Sequence, residues 1–273
     1  MRRLCFLLLP ALLLVLTACT AAERPPITDA ADLTGRRIGV NLAWESDYLL
    51  SSRADIELFR YDSTADMLMA LNSGKLDAIS IDDATIAVVL GQVGGLEVVE
   101  PSPGKTGYVL YISPNEPELL ADFNAFVADW RASEAYREYL DRQAAFDGLN
   151  YVGPELPPDG NGRTIRAAYY MYMFPRSYPD SVTGEGMGYD VEVVRRWAGE
   201  RGYHLELVAS DYNDMVMGTL SGRYDLCFGG VSAFYRADAE SMGLLVSDSL
   251  TEVPIHLLRK SGDAINMDNY TFE

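Results

Sequence analysis

Apolar and polar positions along this chain fall twice into the same order. In the first instance Met67, Leu68 and Leu71 share one helical face, Ser63 precedes them with Asp66 three residues on, and Gly74 follows. A hydroxyl before the first turn, a carboxylate at its third position and a glycine after the last turn are helix start and stop signals, so a helix is predicted over Ser63–Asn72. The run Leu76–Ile81 then reads as a strand. In the second instance Asp211 precedes Met215, Val216 and Leu220, Asp214 holds the third position, Gly222 closes the turn, and Tyr224–Phe228 reads as the strand. At an offset of 148 residues the two segments agree at Asp66/Asp214, Met67/Met215, Met69/Met217, Ser73/Ser221, Gly74/Gly222 and Asp77/Asp225. Further strand-like runs precede each: Arg37–Asn41 and Ile56–Tyr61, then Thr164–Tyr169 and His204–Val208. Between the latter two, Val191, Val194, Trp197 and Ala198 make an apolar helical stripe that stops near Gly202. Strands alternating with helices predict an α/β layered fold, and the repetition predicts two related lobes.

The pattern changes between and outside the lobes. Leu119, Leu120, Phe123, Phe126, Val127 and Trp130, followed by Tyr136, Tyr139 and Leu140, predict one or two packing helices. Residues 147–163 are rich in Gly, Pro and Asn and read as a linker. At the start, Met1-Arg2-Arg3 and a largely apolar run, Leu4–Ala18, precede Cys19. A membrane span needs roughly 20 residues, so residues 1–18 read as a secretory signal. Leu16-Thr17-Ala18-Cys19 resembles the lipobox of bacterial lipoproteins, which implies cleavage before Cys19 and its acylation. Residues 19–32 would then tether the domain to a membrane surface, held by acyl chains at about 0.8 kcal/mol per buried methylene. The alternative is an ordinary signal with an incidental cysteine.

Composition narrows the chemistry. A net charge of −18 excludes nucleic acid as a partner. Cys5 leaves with the signal and Cys19 would carry lipid, so Cys227 remains alone and no intramolecular disulfide is expected; a chain of this length buries a core without one. Cys227, in an apolar strand, reads as a small core residue. His204 and His256 stand in strand-like runs without metal-ligand spacing and read as structural, so no metal is expected. Gly91–Gly95 lacks the Lys-Ser/Thr of a phosphate cradle, and no base-oriented Ser, His and Asp set is visible. Neither a cofactor nor a catalytic residue is predicted.

Several segments are similar to one known family. "MGYDVEVVRRWAGERGYHLELVASDYNDMVMGTLSGRYD" (187–225) resembles the first-lobe signature of the family 3 extracellular solute-binding proteins, the polar-amino-acid receptors of ABC importers. "VSAFYRADAESMGLLVSDSL" (231–250) is similar to that family's ligand loop. "LTGRRIGV" (33–40) and "FRYDSTADMLMALNSGKLDAISID" (59–82) resemble its second-lobe signature, and "GYVLYISPNEPELLADFNAFV" (107–127) its returning strand and helix. The resemblance implies a type II periplasmic-binding-protein fold of two α/β lobes joined by hinge strands. The order is swapped, however: second-lobe-like residues 33–106 come first, then a crossing strand and packing helices over 107–147, a linker over 148–162, first-lobe-like residues 163–250, and a hinge strand with a C-terminal tail over 251–273. Either the chain is a circular permutant closed by the linker, or it holds two incomplete domains of a tandem array.

The resemblance also implies a site. An amino-acid ligand presents a carboxylate and an ammonium, and each must be matched when the lobes close, because a buried unpaired charge is costly. Arg236, with Ser232 four residues before it, is the implied carboxylate anchor, a guanidinium fork being suited to that shape. The loop is one residue shorter than the family's. Asp82 stands where the family holds the ammonium, with a strand-end carboxylate as the alternative reading; Asp77 and Asp225 read as turn braces. The Gly-Thr pair of the family is replaced by Ala43-Trp44-Glu45-Ser46, where Ser46 restores a hydroxyl, Trp44 can stack on the ligand and Glu45 can select a cationic group. Tyr172, Phe174 and Tyr212 are candidates for an aromatic pocket wall, against the alternative that they are core.

The function so implied is capture of a small amino-acid-like solute outside the cytoplasm by a lipid-anchored monomer that delivers it to an ABC permease, without chemistry. Three other readings stay open: a sensory receptor subunit, a dehydratase-like enzyme with Glu45 as its acid or base, and an interaction protein with a degenerate cleft.

Overall fold

A computed structural model describes residues 25–30 and 32–271. The first half contains β1 (Arg37–Asn41), α1 (Glu45–Ser51), β2 (Glu57–Tyr61), α2 (Thr64–Asn72), β3 (Ala78–Ile81), α3 (Asp83–Gln92) and β4 (Leu96–Tyr108). Next come β5 (Tyr111–Ile112), α4 (Pro117–Arg131), α5 (Glu134–Ala144), β6 (Thr164–Tyr170), β7 (Tyr178–Pro179), β8 (Gly186–Met187), α6 (Tyr189–Arg201) and β9 (His204–Ser210). The last are α7 (Tyr212–Leu220), β10 (Leu226–Phe228), a short turn of 3-10 helix over Ala233–Tyr235, α8 (Arg236–Met242), β11 (Leu245–Val246) and β12 (Thr251–Lys260).

The two predicted lobes form around two five-stranded sheets, β2-β1-β3-β12-β4 and β11-β5-β10-β6-β9. In each, the first strand lies between the second and third, parallel to both. In each, the fourth neighbour is antiparallel and comes from the other half of the chain: β12 enters the first lobe, β5 the second. This exchange, with the order second-first-third-crossing-fourth in both sheets, is the type II periplasmic-binding-protein architecture. Residues 108–111 and 246–251 are the two crossings, and they run side by side. Leu250 N donates to Tyr108 O at 2.7 Å, Ser247 N to Leu110 O at 3.0 Å, and Leu110 N to Ser247 Oγ at 2.8 Å.

The sequence repeat has a structural cause. Ser63 Oγ accepts from Asp66 N at 3.1 Å and Asp211 Oδ1 from Asp214 N at 2.8 Å, which caps α2 and α7. Gly74 and Gly222 turn each chain back at φ +74° and +77°, left-handed conformations suited to glycine. Asp77 and Asp225 then accept from the first-strand amides of Arg37 (2.8 Å) and Arg166 (2.7 Å). These braces account for β3 and β10 starting two residues later than the apolar runs Leu76–Ile81 and Tyr224–Phe228 suggest.

Met67, Leu68, Leu71 and Val89 pack α2 and α3 on one face of the first sheet. Phe123, Phe126, Trp130, Tyr139 and Trp197 pack α4, α5 and α6 on the second. Cys227 is buried in the second lobe's other core layer. Three boundaries differ from the sequence reading. Ile27 and Ala30 are buried against Leu33, Ile38 and Val40, so the described end of the expected tether is docked on the first lobe. β4 runs unbroken through the expected division at residue 106. Residues 145–163 form no regular element but pack closely: Gly160 and Gly162 donate to the carbonyls of Tyr203 and Gly202, both at 2.9 Å, which fixes the linker to the second lobe. The expected signal (1–18) and Cys19 lie outside the described residues. Among the described residues no helix is long and apolar enough to cross a membrane.

Candidate functional site

Loops at the strand ends of both lobes face each other across one crevice. After β1, Leu42–Trp44 turn into α1 with Ala43 at φ +60°, a left-handed conformation that disfavours a side chain. The turn is held by Ala43 N donating to Asp47 Oδ2 at 3.0 Å. It sets Glu45 and Ser46 at the start of α1. After β3, Asp82 caps α3: its Oδ1 accepts from Thr85 N at 3.0 Å and from Thr85 Oγ1 at 3.1 Å. From the second lobe, Ser232 Oγ lies 2.8 Å from Thr106 Oγ1 of β4. The Tyr235 hydroxyl donates across the crevice to the Ala43 carbonyl, and its ring meets Tyr48 edge-on at 4.7 Å.

Glu45 is 4% exposed and Asp82 1%. Burial first, and the neighbouring Asp82 second, push the Glu45 carboxyl up to about 8; a hydrogen bond from the Ser232 side chain acts the other way. Burial likewise pushes Asp82 up. Asp82 Oδ2 has no hydrogen-bond partner among the described residues. Beside the two acids Arg176, 2% exposed, lies over the Tyr108 ring at 3.7 Å, with its Nε 3.3 Å from Asp190 Oδ1. Burial is the largest influence and opposes its charge, but Asp190, Tyr139, Tyr108 and Asp83 together outweigh it, so the guanidinium stays ionised. Its Nε and Nη2 lie outside hydrogen-bond geometry. Past Arg176 a cavity of about 590 Å³ opens between the lobes, walled by α3, the end of α5 and β12. His256 Nε2 stands 3.5 Å from Asp83 Oδ1 at its edge.

No protein-family model matches the chain. Over 132 residues it is 25% identical to ABC transporter arginine-binding protein 1 of Escherichia coli K12, covering 46% of this chain and 54% of that one. Over 128 residues it is 27% identical to the L-arginine-binding protein of Pseudomonas aeruginosa, covering 43% of this chain and 49% of that one. The chain is similar to arginine-binding proteins. It spans about half the length of these curated relatives. A solved ancestral amino acid-binding protein, described as a precursor of cyclohexadienyl dehydratase, superimposes with a TM-score of 0.41 at 10% identity, over 84% of this chain and 83% of its own.

The crevice gathers four of the residues singled out from the sequence. Glu45, Asp82 and Ser232 meet at its centre, and Ser46 sits behind them, accepting from Ser80 Oγ at 3.2 Å. Tyr212 is near enough to feel the Glu45 charge and meets Tyr170 edge-on at 6.1 Å. Trp44 is half-buried at the N-cap of α1. Tyr172 stands at the rim, 64% exposed. Phe174 packs on Phe146, just after α5, and on Tyr178. Arg236 starts α8 and donates Nη1 to Val246 O at 3.1 Å and Nη2 to Ser247 O at 2.5 Å, binding the second lobe's own backbone.

Sequence reasoning missed Arg176, Asp190, Tyr108 and Tyr235. An arginine after proline in a polar loop reads as surface, and Asp190 looks like a first-turn helix acid. Only their apposition, 14 residues apart in sequence, marks a buried ion pair.

Proposed function

We propose that this chain is an extracytoplasmic, lipid-anchored, monomeric solute-binding protein that captures a small polar solute, an amino acid or a relative, and presents it to an ABC permease. The observation that carries the reading is the meeting of Glu45 and Asp82 from one lobe with Ser232 and Arg176 from the other, in a buried crevice spanned by two adjoining crossings. Lobes joined in that way can close on a solute by bending at residues 108–111 and 246–251. The similarity to arginine-binding proteins supports the same reading. Both sheets draw their crossing strand from within this one chain, which supports a circularly permuted single receptor over a truncated tandem pair.

Melting of the purified full chain with and without single amino acids tests the proposal. A captured solute at 100 times its Kd adds about 2.7 kcal/mol of stability, so one or a few solutes should raise Tm in a saturable way. A flat response across polar solutes contradicts capture. One observation favours a second reading: a buried glutamate that holds its proton near neutral pH can act as a general acid, as in a dehydratase-like enzyme. Loss of the compound from the incubation would select that reading; its recovery intact supports a binder.

A further inference from the structure

The charges in the crevice do not balance. Arg176 is engaged by Asp190 at 3.3 Å and by the Tyr108 ring, so one buried cation answers one buried anion. Glu45 and Asp82 are left over. Both are more than nine-tenths buried, and neither forms an ion pair among the described residues. Asp82 keeps one oxygen, Oδ2, with no hydrogen-bond partner among the described residues. An ionised carboxyl buried without a cation is costly, so burial keeps Glu45 protonated, and an arriving cation lets it ionise. A positive group arriving from outside supplies what is absent, whereas an arriving carboxylate would add a third acid to the pair.

The arginine that the family resemblance assigns to a ligand carboxylate is turned to its own lobe's backbone. Both terminal nitrogens of Arg236 donate to carbonyls of residues 246 and 247, and Glu240 stands 3.5 Å from Nη1. The neighbours of Glu45 are aromatic: Tyr48 and Tyr235 meet edge-on, and Tyr235 and Tyr212 both lie within electrostatic reach of Glu45. Ring faces attract cations.

We infer that the solute is an organic cation without a carboxylate, an amine or guanidinium compound received by Glu45 and Asp82. The inference rests on the capture reading above. Agmatine and arginine test it, because they share the guanidinium and differ by the α-carboxylate. Calorimetric titration of the full chain should show agmatine binding at least tenfold tighter than arginine. Glu45→Gln, which matches the shape of the protonated acid, should weaken agmatine at least tenfold while its own melt stays cooperative. Asp82→Asn, which keeps the cap acceptor of α3, should do the same and serves if the first variant does not fold. Arginine binding as tightly as agmatine overturns the inference, as does agmatine affinity unchanged in both variants. If arginine or another amino acid binds and agmatine does not, the inference falls and capture stands. If no solute binds, both fall.

Discussion

Glu45 is held in its uncharged form by its surroundings, and this has a consequence for stability. Asp82 faces it from the start of α3, Arg176 from the loop after β6, Ser232 and Tyr235 from the second lobe, Tyr108 from the end of β4, and Asp47 lies on its own helix. Its carboxyl is raised from 4.5 to about 8 on folding, so between those values the folded chain holds a proton that the unfolded chain has lost. Stability then falls as pH rises through that window. Glu45→Gln carries no such proton, so the Tm difference between variant and wild type is expected to widen in the variant's favour from pH 5 to pH 8.5. Parallel melting curves would show that Glu45 titrates normally. Two residues away, Ala43 occupies a left-handed turn that glycine adopts without strain. Ala43→Gly is expected to add roughly 0.5–1 kcal/mol in denaturant unfolding, the relief of strain outweighing the entropy of a freer unfolded chain. At this scale the sequence exposed the acids and the hydroxyl, because each sits at a strand end with a local pattern around it. It hid Arg176, whose meaning comes from a partner brought near only by the fold.

At the scale of elements, α2 and α7 are the same device built twice, each with a cap, an inward Met, a glycine stop and an aspartate brace. Ser63→Ala and Asp211→Ala should each cost about 1 kcal/mol. The caps lie on different lobes, so the double variant should cost the sum to within about 0.5 kcal/mol. A double variant no worse than either single change would mean that the caps do not set helix stability here. These elements were legible because capping and apolar spacing are local. The linker was legible as irregular but not as docked, since the bonds of Gly160 and Gly162 are made to a turn 40 residues further along the chain. The docking of Ile27 and Ala30 was hidden for the same kind of reason: a short polar stretch shows its buried positions only once β1 and β12 supply the surface.

For the whole molecule, the order of segments matters less than the exchange of strands. β5 and β12 each leave the half in which they are spelled and complete the other sheet, so neither lobe is whole without the other. The repeat in the sequence announced two lobes, and the family resemblance implied a swapped order, but the adjoining crossings at 108–111 and 246–251 emerge only in three dimensions. The crevice lies between the lobes, so residues from both should be needed to hold a solute. Titration calorimetry of the full chain against the amino acids and agmatine, repeated with Glu45→Gln from one lobe and Ser232→Ala from the other, measures this directly. One solute bound per chain, weakened by either change, is the expected result. Binding that survives unaltered when either lobe's residue is replaced would place the solute outside the shared crevice and contradict the account.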